Sequence, residues 1–232
     1  MYRVLVEIAD DKQLLNILRF KGGTCAAMLG WLDRFSIDLD FDFIGDHSSV
    51  GDVRSKLEQL FKALGLEIKD RSDSGIQYFL KYAAPQNQRN SLKVEASFPV
   101  PRCNQYQSMY FSEIERTLWC QSRECMFANK LVAVLDRWAK HHSLAGRDIY
   151  DIHYFFINAV PYLATVIEER RGTDLVSFFS ELRDFIKKRF NSVVIQQDIN
   201  MLLPHKKFKT FYKHVVPETV RLIDEEMIRL KR

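Results

Sequence analysis

From Phe35 to Phe43 the chain alternates between apolar and polar positions. Ile37, Leu39, Phe41 and Phe43 fall on one side, and Asp38, Asp40 and Asp42 on the other. A period of two predicts a strand with an apolar face and a carboxylate face. Upstream, "NILRFKGG" predicts a strand running into a turn, and "TCAAMLGWL" a short helix. Downstream, "SSVGDVRSKLEQLFKALG" has a serine cap signal, helical spacing and a closing glycine. "LEIKDRSDSGIQYFLKYAA" predicts two strands around a Ser-Asp-Ser-Gly turn, and "SLKVEASF" alternates again. Beyond about residue 118 the period lengthens to that of amphipathic helices, as in "SRECMFANKLVAVLDRWAKHH", "DIYDIHYFFINAV", "TDLVSFFSELRDFIKKRF" and "PETVRLIDEEMIRLKR". Strands followed by helices predict an α+β domain over 1–118 and a helical domain over 119–232.

Composition narrows the class. The 232 residues are 47% hydrophobic and 28% charged, with only 9 Gly and 6 Pro, a globular balance that supports a sizeable core. No apolar run approaches a membrane span, and "MYRVLVEIADDKQ" has acidic residues where a signal peptide needs an apolar block. Cys25, Cys103, Cys120 and Cys125 form no paired CxxC pattern, so reduced thiols in a cytoplasmic protein are expected. Charge is uneven. Residues 1–115 carry 14 Lys+Arg against 16 Asp+Glu, a net of −2, and residues 116–232 carry 20 against 14, a net of +6. An acidic half with a basic half suits cation binding in one and a polyanion in the other.

Three carboxylates on one strand face repel one another and raise each other's pKa unless a cation sits among them. The alternative is an edge strand whose solvent face happens to be acidic. Gly22 and Gly23 leave room for a backbone to approach a phosphate, Thr24 adds a hydroxyl, and the following helix would aim its N–H groups the same way. A phosphate cradle followed closely by a DxD strand points to Mg²⁺ and nucleotide together.

"GGT", thirteen residues, then "DLD" resembles the signature of the polymerase-β-like nucleotidyltransferases, and "FKGGT…RFSIDLDFDF" resembles the AbiEii/AbiGii toxin family. The resemblance implies a mixed-sheet nucleotidyltransferase domain followed by a helical domain that completes the active site. It implies Asp38 and Asp40 as ligands of Mg²⁺ or Mn²⁺, with Asp42 outside the minimal motif and read as a solvated strand residue. A third carboxylate is expected on a neighbouring strand. Glu95 alternates with Lys93 and Ser97, and the resemblance makes it a metal ligand and proton acceptor. Gly22, Gly23, Thr24, Arg34 and Ser36 match the nucleotide-binding part, with Arg34 directed at phosphate or at Asp33.

"FANKLVAVLDRW" places Lys130 and Arg137 on one helix face, and "GRDIYDI" supplies Arg147, Asp148 and Asp151. These resemble the family's lysine-bearing helix and its RD-x-x-D motif. The resemblance implies that Lys130 neutralises the triphosphate, that Arg137 assists in holding the nucleotide, and that Asp148 or Asp151 lies beside the active site. Near the end, "PHKKFKTFYKHVVP" interleaves Lys206, Lys207, Lys209 and Lys213 with aromatics. Phe208, Phe211 and Tyr212 have core spacing, and the lysines are either a solvated face or acceptor contacts. The function implied is that of a toxin transferring NMP from an NTP to the 3′ end of a tRNA, with a cognate antitoxin as partner. The alternatives are a protein or small-molecule acceptor, or a partner-binding module that kept the fold.

Overall fold

The structure is a computed structural model that describes residues 1–86 and 88–232. It groups into two compact units, but not at a single boundary. The first comprises Met1–Gly30, Ser36–Val100 and Gln105–Ser122, and the second Trp31–Phe35, Pro101–Asn104 and Arg123–Arg232. The α+β class holds: strands dominate the first unit and helices the second.

In the first unit the described strands form one seven-stranded mixed sheet. They are β1 (Leu18–Lys21), β2 (Leu39–Phe43), β3 (Glu67–Arg71), β4 (Ile76–Lys81), β5 (Ser91–Ser97), β6 (Tyr106–Phe111) and β7 (Arg116–Gln121), in the order β3-β4-β5-β2-β1-β7-β6. The aspartate strand β2 is therefore central. It pairs in parallel with β5 and antiparallel with β1. Its odd-numbered side chains Leu39, Phe41 and Phe43 are at most 1% exposed, each contributing about 1.5–3 kcal/mol by burial. Phe41 and Phe111 pack on Phe20 of β1 with ring centroids 5.3 and 5.6 Å away.

Helices α1 (Tyr2–Asp10), α2 (Lys12–Ile17), α3 (Gly22–Met28) and α4 (Val50–Ala63) complete the unit. Helix α4 buries Val53, Leu57 and Phe61, four residues apart and so on one face. Its predicted serine cap does not form. The Ser49 hydroxyl donates instead to the Asp46 carbonyl at 2.7 Å. Helix α1 and the β6–β7 hairpin are elements that the periodicity reading did not single out.

The second unit contains α5 (Arg123–His141), α6 (Gly146–Ile157), α7 (Ala164–Arg171), α8 (Leu175–Arg189), α9 (Ser192–Ile199), α10 (His205–Phe211) and α11 (Val215–Leu230). Phe127, Leu131, Phe155, Phe178, Phe179 and Ile223 form its fully buried core. The segment Trp31–Phe35 belongs here. The Phe35 N–H donates to the Leu202 carbonyl at 2.9 Å. No disulfide forms among the described residues, and no described helix is long and apolar enough to cross a membrane.

Candidate functional site

In the sheet unit, β2 and β5 set the spacing of the carboxylates. Asp40 lies opposite Glu95, and Asp42 opposite Ser97, across the parallel ladder. Val94 and Ala96 are buried, so Lys93, Glu95 and Ser97 point to the face shared by Asp40 and Asp42. Asp38 immediately precedes the strand.

Each outer carboxylate has a basic neighbour. Arg89 donates to Asp38 Oδ1 at 3.1 Å, and Lys93 pairs with Glu95. Burial pushes the Asp40 carboxyl above its ordinary pKa, and the Glu95 and Asp38 charges add to this while Lys93 and Lys21 oppose it. Among the described residues no three His, Cys, Asp or Glu side chains are gathered as a metal cage. The donor chemistry of Asp38, Asp40 and Glu95 nonetheless fits a hard divalent cation, which takes carboxylate oxygens. Asp40 is a largely buried carboxylate facing Glu95, and a cation between them would favour the ionised form of both.

The glycine turn packs directly on Asp40. Gly22 has φ +81°, and a Cβ there would lie 2.6 Å from Asp40 Oδ2. Only glycine permits both that dihedral and that approach. Gly23 and Thr24 are buried, and the Thr24 hydroxyl donates to Ser36 Oγ at 3.0 Å. These two candidate nucleotide-binding hydroxyls are thus joined to each other, fastening α3 to the segment that leads into β2.

Asp42 corrects the sequence reading. It is 1% exposed rather than solvated. Its carboxylate accepts from Lys21 Nζ at 2.6 Å, Tyr106 OH at 2.9 Å and Gln121 Nε2 at 2.6 Å. A strand with neighbours on both sides has no solvent edge, and side chains from β6 and β7 close over this end of it. Lys21 and Arg89 escaped notice in the sequence, and Lys93 was noted only as alternating with Glu95, without a role. For Lys93 a signal existed, because it stands two residues before Glu95 and must share its face.

In the helical unit, Asp151 is fully buried on α6. Arg34 grips it with both ends of the guanidinium, Nε to Oδ1 at 2.5 Å and Nη2 to Oδ2 at 2.7 Å. Lys130 on α5 donates to Oδ2 at 2.5 Å. Burial alone would push the Asp151 carboxyl up, but Lys130 and Arg34 more than reverse this and hold it below the ordinary value. The partner of Arg34 is therefore Asp151. Asp33, the local partner considered from sequence, instead accepts from Tyr150 at 2.6 Å and pairs with Lys207. Arg137 donates to Asp148 at 2.9 Å.

On α10, Phe208 is buried and stacks on Tyr212 with centroids 5.0 Å apart, as core spacing predicts. Lys206, Lys209 and Lys213 are exposed, whereas Lys207 is half-buried.

A sheet carrying a glycine turn and in-register carboxylates defines a nucleotidyltransferase fold, and solved structures agree. The Helicobacter pylori protein JHP933 superposes with a TM-score of 0.58 at 21% identity, covering 99% of this chain and 90% of its own. MenT4, a nucleotidyltransferase toxin from Mycobacterium tuberculosis, gives 0.57 at 18% identity, covering 98% and 84%. An antigenic nucleotidyltransferase-like protein from Paracoccidioides brasiliensis gives 0.52 at 19%, covering 81% and 88%. No curated protein matches the sequence. The family described as "Nucleotidyl transferase AbiEii toxin, Type IV TA system" matches residues 3–221, and the chain belongs to it. It is a nucleotidyltransferase toxin of a type IV toxin–antitoxin system, a membership that implies an NTP substrate and an antitoxin partner.

Proposed function

We propose that this toxin transfers a nucleoside monophosphate from an NTP to a hydroxyl at the 3′ end of a tRNA. The acceptor oxygen bonds to the α-phosphorus, the bond from that phosphorus to the β-phosphate bridging oxygen breaks, and pyrophosphate leaves. The observation that carries the reading is the register of Asp40 with Glu95 beside the Gly22 turn.

Asp38, Asp40 and Glu95 would hold the divalent cation, Mg²⁺ or Mn²⁺. Such an ion supplies charge neutralisation at the α-phosphate and acidifies the attacking hydroxyl. Glu95 accepts the proton of that hydroxyl. The Gly22–Gly23 backbone lets phosphate approach closely. For Lys130 the proposed role is neutralisation of triphosphate charge, with Asp151 holding its ammonium in place. Lys206, Lys209 and Lys213 contact acceptor phosphates.

The test is to incubate the protein with Mg²⁺, total RNA and each of the four labelled NTPs in turn. Label in a tRNA-sized band is expected from one or more NTPs. Label in protein instead would move the acceptor to another class, and no label from any NTP would sink the reading.

A further inference from the structure

The buried carboxylate of Asp42 lies outside the expected ligand set, yet its hydrogen bonds link four strands of the sheet, and through Lys21 a fifth. Its own strand is β2. Lys21 ends β1, Tyr106 opens β6, and Gln121 ends β7. The same Lys21 ammonium that donates to Asp42 also donates to Ser97 Oγ on β5 at 2.9 Å. From its place on β1, opposite Asp40, the Lys21 side chain thus reaches across β2 to the strand of Glu95.

Lys21 is also the residue on which the glycine turn begins. Its backbone is extended, and the next residue, Gly22, turns to φ +81° against the Asp40 carboxylate. Fixing Lys21 at both its backbone and its ammonium therefore fixes where that turn starts. A charge-assisted bond to a buried acceptor holds a long side chain better than solvent contact does. A pair kept only for stability could equally be apolar, because burying an ion pair gains little over packed hydrocarbon.

We propose that Asp42 is a positioning residue for nucleotide binding, acting through Lys21 to hold the Gly22–Gly23 turn against Asp40. The inference rests on the reading of Asp40 and the turn as the nucleotide site. It predicts that removing either partner loosens the turn, that both removals have the same effect, and that nucleotide affinity falls further than stability does.

The experiment uses the full chain and titration calorimetry with Mg²⁺ and each of the four NTPs, alongside thermal unfolding. The variants are Asp42→Asn, Lys21→Met and the double substitution. Asn at 42 keeps an oxygen for Tyr106 and Gln121 but loses the charge that holds Lys21. Each single variant should bind the preferred NTP about tenfold more weakly, and the double variant should bind no worse than either single. If Asp42→Asn does not fold, Lys21→Met, which leaves the buried Asp42 carboxylate without its cation, must still lose more affinity than its fall in melting temperature accounts for. Unchanged affinity in folded Lys21→Met, or losses that add in the double variant, would overturn the proposal. So would loss of affinity only in step with melting temperature. A parent chain that binds none of the four NTPs would remove the reading of the site, and this inference with it.

Discussion

Oδ2 of Asp40 stands 2.6 Å from where a Cβ on Gly22 would be. Ala at 22 therefore meets a clash as well as an unfavourable positive φ. Gly22→Ala should cost about 1–3 kcal/mol of stability and most of the NTP-dependent labelling. Adding Asp40→Ala removes the 2.6 Å clash with Oδ2 but leaves the residue 40 Cβ 3.1 Å away and the dihedral strain in place, so the double variant should regain part of the stability and none of the activity. Thermal melts and label incorporation on the same samples check both halves.

Asp40 should also shape the pH dependence of stability. Its folded-state pKa is raised by burial first and then by neighbouring carboxylates. The folded protein thus favours the protonated form, and the stability tied to that proton is present below the ordinary carboxylate value. It is lost as pH rises through the raised value. Asp40→Asn, permanently uncharged, should gain melting temperature over the parent as pH climbs through that window in EDTA. The same variant should lose transfer. A temperature gap that does not change with pH would contradict the assignment.

The opposite sign holds for Asp151. Its pKa is lowered, so its contribution is present above the ordinary value and is lost as pH falls through the lowered one. Asp151→Asn leaves the buried Arg34 guanidinium without its counter-charge and should cost about 3–5 kcal/mol, read from denaturant unfolding. Pairing it with Arg34→Leu should recover much of that loss.

Lys130 separates activity from stability more cleanly. Asp151 keeps Arg34 when Lys130 is removed, so Lys130→Ala should melt near the parent while using NTP poorly. Lys130→Arg should rescue only partly, because a planar fork does not reproduce an ammonium. Parent-like kinetics in Lys130→Ala would leave this lysine a structural role alone.

The exposed lysines of α10 are tested by salt. Acceptor RNA binding should weaken steeply with ionic strength. Changing Lys206, Lys209 and Lys213 to Gln should flatten that slope by roughly one unit for each phosphate no longer neutralised. Lys207 is left intact because it is ion-paired with Asp33. An unchanged slope would make these three lysines merely a solvated face.

The elements legible in the sequence were those with a clean local period. Strands β2 and β5, the β3–β4 pair and helices α4, α5, α6, α8 and α11 lie where alternation or helical spacing placed them. Helices α7 and α9 are eight residues each, too short for their period to stand out. The β6–β7 hairpin carries exposed aromatics such as Tyr110 and Trp119, which blur the contrast between its faces. For the candidate site, sequence supplied the residue types but not their neighbours. The register of Asp40 with Glu95 spans 55 positions, and the burial of Asp42 depends on Tyr106 and Gln121, which come together only when the sheet closes. Arg34 shows the limit most plainly, since its partner lies 117 positions away and no local spacing encodes it.

The placement of Trp31–Phe35 in the helical unit has a consequence for biosynthesis and inheritance. At ordinary ribosomal speeds Arg34 leaves the peptidyl-transferase centre on the order of ten seconds before Asp151 does. Its guanidinium must stay hydrated until α6 arrives, and only then does the acid find its permanent counter-ion. A polypeptide cut after Ser122 would leave residues 123–232 with a buried Asp151 held by Lys130 alone. Residues 123–232 transferred without Trp31–Phe35 would therefore lack the guanidinium that neutralises their buried aspartate.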